Sequence, residues 1–325
     1  MPVMTKIGII GCGEMGRTHA RCIAALGLGK ISALCDTDES YARSLAEFAP
    51  GAYTTTHSDR LIRDDSIDAV YICTHNESHA GLGIAAARAG KHIMMEKPVA
   101  MTLRECSDLT DAVDRSGVRF MTAFKLRYYP SVGRVRAFMP QPFLCIAQMI
   151  DERWPDSFWG NDTLRGGGNV LSQGCHAVDL MCHLLDESPV SIYARGGNLH
   201  HPGLAITDLL TATVSFTNGA SASIVIGDIG RTPFLSKLSF QVMDGVRTAH
   251  LHDRLRQVHI WDGTKEHKHV DSEEVGFFEE NREFLTALSE SRQPSASLAD
   301  GIRATVILLR AQESLKSGQV HSIAL

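Results

Sequence analysis

The chain has 325 residues, 44% of them hydrophobic, enough for two domains and a sizeable core. Its charges nearly balance, 32 Lys and Arg against 37 Asp and Glu for a net −5, with no basic run and no block of aromatics among cations, so nucleic acid is not an expected partner. No apolar stretch is as long as a membrane span, and the first apolar run leaves no room before it for a signal peptide; the expectation is a cytoplasmic protein that does not engage membranes.

From the N-terminus, the apolar run Ile7-Gly8-Ile9-Ile10 leads into Gly11-Cys12-Gly13-Glu14-Met15-Gly16, and residues 17–26 read as a helix. Strand, glycine turn, helix is the order of a dinucleotide fingerprint. The first glycine makes the turn, the second lets the backbone approach a pyrophosphate, and the third lets helix and strand pack closely. Free N–H groups and the positive end of the helix dipole then face the phosphates. Residues 31–35 read as a second buried strand, with Asp36 at its end. That acid lies about 20 residues beyond the third glycine, the spacing of a carboxylate that accepts hydrogen bonds from the adenosine ribose. It would repel a 2′-phosphate, and Thr37-Asp38-Glu39 offers no arginine to receive one, so NAD is expected rather than NADP.

The βα alternation continues. Residues 40–48 read as a helix ended near Pro50-Gly51, 68–73 as a buried strand, and 78–89 as a helix closed by Gly90. Residues 92–95 form a strand leading into Glu96-Lys97-Pro98, 103–116 a helix stopping at Gly117, and 119–123 a strand. Near-continuous apolar strands between helices imply a parallel sheet covered on both faces. The fold class is therefore α/β, with a doubly wound Rossmann domain over residues 1–123.

Beyond it the pattern changes. After a helix at 131–138, alternating segments at 209–216, 220–226, 238–243, 246–252 and 258–261 are punctuated by Asn218-Gly219, Asp244-Gly245 and Asp262-Gly263. These are hairpin signals. Residues 124–325 are expected to form a substrate-binding and oligomerisation α+β domain with a large, mainly antiparallel, open-faced sheet, closed by helices at 275–289 and 299–316. One face of such a sheet lies on its own helices. The other is a candidate surface for pairing with further copies, as a homodimer or homotetramer.

The cysteines at 12, 22, 35, 73, 106, 145, 175 and 182 form no C-x-x-C pair and read as buried reduced thiols. Cys175, His176, Asp179, Cys182 and His183 do not share one helical face, so no metal is expected. His200-His201 and His267-x-His269 read as exposed loop and strand residues.

Two residues suit chemistry. Lys97 stands at the C-terminal end of a parallel strand, where open α/β sheets place ligands, and Pro98 fixes the backbone beside it. A lysine held there can hydrogen-bond a substrate oxygen and stabilise developing alkoxide charge. His176 lies near the start of a helical stretch, 170–185, whose Ala177, Leu180, Met181, Leu184 and Leu185 make an apolar face, with His176, Asp179 and His183 on other sides. A neutral imidazole can take a hydroxyl proton. Just before the glycine run, Arg153, Trp154, Asp156 and Trp159 lie in an irregular stretch; aromatics with charged neighbours suit the faces and hydroxyls of a sugar or cyclitol ring.

Taken together, Gly11-x-Gly13-x-x-Gly16, Asp36, Thr74-His75-Asn76-x-x-His79, Glu96-Lys97-Pro98, and Gly166-Gly167-Gly168 through Gly174-x-His176-x-x-Asp179 resemble the glucose–fructose oxidoreductase / inositol dehydrogenase family (Gfo/Idh/MocA) over nearly the whole chain. The resemblance implies a Rossmann domain, a C-terminal open-faced sheet, a nicotinamide cofactor and a small polyhydroxylated substrate: a cyclitol, sugar or glycoside. It implies that Lys97 and His176 surround the reacting hydroxyl and that Arg127 faces substrate and cofactor. The cofactor is then held by the 11–16 turn, Asp36, Thr74, His75, Asn76, His79, Glu96 and Lys97, while Trp154 and Ser172 join Lys97, Arg127 and His176 around the substrate. Many relatives carry Asp four residues before the histidine. This chain has Ser172 there, which can hydrogen-bond an imidazole but brings no charge to stabilise an imidazolium. The implied activity is NAD-dependent oxidation of a secondary alcohol; the alternative is a lyase or glycoside-cleaving reaction by transient oxidation on tightly held NAD, without net redox.

Overall fold

The computed structural model describes residues 4–232, 234–271 and 276–324. The chain forms two units. One takes the residues up to Lys125 together with Gly276–Ile302; the other runs from Leu126 and resumes at Arg303.

In the first unit the elements alternate: β1 (Thr5–Ile10), α1 (Glu14–Leu26), β2 (Gly29–Cys35), α2 (Glu39–Arg43), β3 (Tyr53–Thr55), α3 (Ser58–Ile62), β4 (Ala69–Ile72), α4 (Asn76–Arg88), β5 (His92–Met95), α5 (Leu103–Ser116) and β6 (Phe120–Thr122). The strands pair in parallel in the order β3-β2-β1-β4-β5-β6. Strand β4 is buried along its whole length, as apolar runs between two helical layers require. Helix α5 is bounded by local chemistry: Thr102 and Glu105 form a reciprocal capping box, and Gly117 ends the helix at φ 65°. The order reverses between β1 and β4, so the loops after these two strands open at the topological switch point. They carry the glycine turn and Thr74.

The helix expected at 40–48 is shorter. It splits into α2 and a single 3-10 turn, Ala46–Phe48, because the Ser44 hydroxyl donates back to the Tyr41 carbonyl and the Leu45 N–H goes to Ala42 rather than one residue further.

The second unit contains α6 (Pro130–Phe138), β7 (Leu144–Glu152), α7 (Gly168–Ser172), α8 (Gly174–Leu185), β8 (Pro189–Gly197), β9 (Leu209–Phe216), β10 (Ser221–Gly230), β11 (Leu238–Met243), β12 (Thr248–His252), β13 (Gln257–Trp261) and β14 (Glu266–Val270). Helices α9 (Gly276–Ser289) and α10 (Leu298–Ser317) and the short β15 (His321–Ser322) close the chain. Nine strands form one sheet, ordered β14-β13-β12-β11-β7-β10-β9-β8-β15. All neighbours are antiparallel except β7 with β10, so the sheet is mixed. Burial alternates along β9, one face inward and one outward. Helices α7 and α8 lie on the inner face; the outer face carries Ile146 and Trp261, 42% and 45% exposed.

Two expectations are corrected here. The helix expected at 170–185 is broken at Gln173 into α7 and α8. A Cβ on Gly174 would lie 3.0 Å from Ile226 and 3.1 Å from Leu308, so glycine lets α8 begin close to β10 and α10 without displacing those side chains. Helix α8 is also buried nearly all round, so His176 and Asp179, off its apolar face, are buried as well. Second, residues 276–302, read with the second domain, belong to the first unit. Helix α9 packs on α1; Phe284 meets the Tyr71 ring edge-on at 5.5 Å. Val275, the first residue of the expected helix, lies outside the described residues.

None of the eight cysteines is in a disulfide, and all but Cys73 are buried. Burial, then the neighbouring Asp36, push the Cys12 thiol up to about 12, which makes it a poor nucleophile. Among the described residues no helix is long and apolar enough to cross a membrane.

Candidate functional site

The nucleotide half of the site is built at the first-unit switch point. Gly11 has φ +90°, and a Cβ there would lie 2.5 Å from the Cys73 carbonyl, so this position accepts only glycine. A Cβ on Gly16 would lie 2.0 Å from the Gly11 carbonyl, which is how the helix comes to rest on the turn. Gly13 differs: a Cβ there would meet nothing within 4 Å. It is the N-cap of α1, and no side chain caps the helix. The turn therefore presents an open, uncapped helix start, a cradle that fits a pyrophosphate. At the end of β2, Asp36 accepts the Cys12 N–H at 2.8 Å on one oxygen and the Asp38 N–H at 3.0 Å on the other. Each oxygen keeps a further lone pair for a ribose diol.

The loops after β4 and β5 are fastened together. His79 is 1% exposed, and its ring nitrogens face the carbonyls of Pro98 at 2.7 Å and Thr74 at 3.0 Å. Burial pushes its pKa down. The Thr74 and Ser78 hydroxyls meet at 2.6 Å, and His75 is the N-cap of α4. His79 and Glu96 are both buried, each with hydrogen-bond partners inside the first unit. Asn76, at 3% exposure, is buried as well. The Glu96 carboxylate lies 3.2 Å from His19 Nε2, and Asn281 lies against the other nitrogen of that ring. Burial raises the Glu96 pKa, but the His19 hydrogen bond and Lys97 outweigh it and hold the carboxyl below its ordinary range. Lys97 is half-buried between buried Glu96 and Pro98, across a cis peptide. The sequence reading missed His19, Asn281 and the fully buried Glu280, whose pKa burial and then Glu96 push well up. Their only signal is a polar residue in an otherwise apolar helical stripe, in segments remote from the motif they support.

In the second unit, Arg127 grips Asp179 with two parallel hydrogen bonds, Nε to Oδ2 at 2.9 Å and Nη2 to Oδ1 at 2.5 Å, and both side chains are buried. These two guanidinium donors serve α8. His176 is 8% exposed in the first turn of α8, and Ser172, at 5%, ends α7 one turn earlier. His183 lies 3.1 Å from Arg136. Trp154 is half-buried and stands edge-on to Phe158 at 5.1 Å. Among the described residues, no three His, Cys, Asp or Glu side chains converge to hold a metal. His201, expected to be exposed, is fully buried between two carboxylates.

Residues 5–124 match the family described as GFO_IDH_MocA, an oxidoreductase family with an NAD-binding Rossmann fold. Residues 134–242 match the GFO/IDH/MocA C-terminal domain. The chain is 28% identical over 336 residues to an uncharacterised oxidoreductase, YrbE, of Bacillus subtilis, covering 98% of each. It is 25% identical to the myo-inositol 2-dehydrogenase of Thermotoga maritima, covering 96% of each. Among solved structures, levoglucosan dehydrogenase in complex with NADH has the same fold, with a TM-score of 0.90 at 22% identity over 99% of this chain and 100% of that one. With both domain matches in sequence order on a six-stranded parallel sheet followed by a nine-stranded mixed one, the chain belongs to the GFO/IDH/MocA oxidoreductase family and carries its NAD-binding domain.

Proposed function

We propose that this chain is an NAD-dependent dehydrogenase that removes hydride from a secondary alcohol of a cyclic polyol: a cyclitol, sugar or glycoside. The observation that carries this reading is Lys97. It is held half-buried at the C-terminal end of β5, with both neighbours buried and the preceding carboxylate anchored on His19. An ammonium in that place donates a hydrogen bond to the alcohol oxygen and stabilises the charge that grows on it. His176 accepts the hydroxyl proton. Bound NAD supplies the hydride acceptor. The 11–16 turn holds its pyrophosphate and Asp36 its ribose, while Trp154 offers an apolar face to a sugar or cyclitol ring. Relatives named for myo-inositol and levoglucosan support a ring bearing several hydroxyls.

Asp179 is a weaker candidate base than His176, because it would have to leave a buried bidentate pair with Arg127. Ser172 brings a hydroxyl, not a carboxylate, to the position one turn before His176. We further infer a homodimer or homotetramer that uses the open face of the nine-stranded sheet. The enzymatic reading is tested with a panel of inositols, aldoses and glycosides and NAD, following the absorbance of the reduced cofactor. At least one member should give sustained reduction of NAD and none should prefer NADP. A glycoside or polyol cleaved without reduced cofactor accumulating would replace the dehydrogenase with a lyase.

A further inference from the structure

The loop before the glycine run is tied down by one histidine. His201 lies in the connection between β8 and β9 and is fully buried. Its Nδ1 is 2.7 Å from Asp156 Oδ1, and its Nε2 is 2.8 Å from Asp228 Oδ2. Ionised carboxylates only accept hydrogen bonds, so a ring placed between two of them must donate from both nitrogens, which only the imidazolium does. The connection itself is rigid there: the buried Asp208 carboxylate accepts the N–H groups of Leu199, His200 and His201 at 2.6 to 3.0 Å.

The two carboxylates belong to different parts of the unit. Asp228 is on β10, and its Oδ2 also accepts the Trp154 N–H at 3.1 Å. Asp156 is on the aromatic loop, where Arg153 reaches it at 2.6 Å. That loop leads by close packing to the catalytic helix. A Cβ on Gly160 would lie 2.8 Å from the Trp154 ring, and one on Gly166 would lie 2.4 Å from the Gly160 backbone. The glycine run opens α7, which precedes α8 and His176. On its other side, a Cβ on Gly168 would lie 3.1 Å from Ile206, and Thr163 bonds the Ala205 carbonyl at 3.3 Å, both in the His201 connection.

We propose that His201 is a positioning residue for the substrate: an imidazolium that locks Trp154 and Asp156 against the glycine run leading to His176, so that polyol affinity falls when the ring gives up its second proton. The proposal rests on the polyol reading for its kinetic consequence but not for its structural one. Burial lowers the His201 pKa, yet hydrogen bonds to Asp228 and Asp156 outweigh it and the net direction is up. Arg153 acts the other way, Asp208 touches only the backbone N–H, and the His200 ring lies 5.6 Å off. A histidine with a raised folded pKa keeps its contacts below its ordinary value near 6.5 and loses them as pH rises through the raised one. The clamp is therefore full in mild acid and loosens toward alkaline pH.

The direct test is nitrogen-15 NMR of the His201 ring, assigned by comparison with His201→Gln. Both nitrogens should be protonated at neutral pH; a neutral tautomer there overturns the proposal. In a Trp261→Phe background, acrylamide quenching of the remaining tryptophans should rise with the same midpoint as the ring titration, and a quenching profile flat in pH also overturns it. With an oxidised polyol, His201→Gln and the more exposed Asp156→Asn should raise its KM about tenfold or more, the effect of one lost charge-assisted hydrogen bond. The turnover number should stay within about twofold (roughly 0.4 kcal/mol, since tenfold is 1.36), and NAD affinity should be unchanged. Unaltered KM and an unaltered pH profile in both variants contradict a positioning role. If no polyol is oxidised by the wild type, the function proposed above fails while ring titration and quenching still decide the clamp.

Discussion

At the scale of single residues, Asp36 is fixed by two backbone N–H groups at the end of β2, and in the proposed function it accepts from the ribose and repels a 2′-phosphate. Asp36→Ala should weaken NAD binding about 10- to 100-fold, the range for one hydrogen bond to a charged group, and narrow the preference over NADP. Fluorescence titration with both nucleotides checks this, and equal or tighter NADP binding by the wild type contradicts it. Lys97→Met should lower kcat about 10²–10³-fold, and His176→Ala should lower kcat/KM about 10²–10⁴-fold, the latter without loss of NAD affinity. Ser172→Asp, which can raise the His176 pKa, should move the acidic limb of the pH–rate profile upward. Glu280 gives a stability prediction. Both of its oxygens are buried without a hydrogen-bond partner, and its pKa is raised. An acid neutral when folded but ionised when unfolded contributes fully below its unfolded pKa, and that contribution is lost as pH rises toward the folded one. Glu280→Gln should therefore melt close to wild type near pH 4 and above it near pH 8; a deficit of equal size at both pH values would refute the neutral acid. The places of Asp36 at the end of β2 and of Lys97 just beyond β5 were legible from the strand pattern and, for Asp36, from its distance after the glycine turn. His79, Glu96 and His201 were not, since whether a polar side chain turns inward depends on partners such as Pro98, His19 and Asp228, which the sequence does not place nearby.

At the scale of elements, the glycine turn separates packing from binding. Gly16 is closed by backbone and Gly13 faces open space. Gly16→Ala should destabilise the fold by about 1–3 kcal/mol, as overpacking does. Gly13→Ala, at an ordinary φ of −70°, should leave the melting temperature nearly unchanged yet weaken NAD at least about tenfold by filling the cradle. Calorimetry and nucleotide titration of the pair decide it; a Gly13→Ala protein that binds NAD like wild type would remove the pyrophosphate from this turn. Helices with caps and strands with glycine turns were legible: α5 has the bounds its capping box and Gly117 dictate, and the Asn218-Gly219 and Asp244-Gly245 turns join paired strands. Strands β3, β7, β8, β14 and β15 were missed. Strand β7 pairs with β10 and β11, far along the chain, so no turn announces it. Strand β14, with exposed Glu266, Lys268 and His269, has little apolar alternation to show.

At the scale of the whole molecule, the change from a parallel to a mainly antiparallel sheet was readable from where glycine turns replace helices. The return of residues 276–302 to the first unit was not, because the apolar stripe of α9 matches any apolar surface, and only packing on α1 and Tyr71 assigns it. Pairing through the open sheet face should give a dimer or tetramer mass by light scattering at micromolar concentration, and charges placed at Ile146 and Trp261 should reduce that mass without unfolding the chain. A wild-type monomer at that concentration contradicts the assembly. The proposed reaction is net hydride transfer from a polyol to NAD. Its most direct measurement is the ratio of reduced cofactor formed to polyol consumed, with NAD in excess and the most active member of the panel as substrate. The expected result is one equivalent of each, both slowed together by about 10²–10³-fold in Lys97→Met; consumption of polyol with no reduced cofactor accumulating would contradict net hydride transfer.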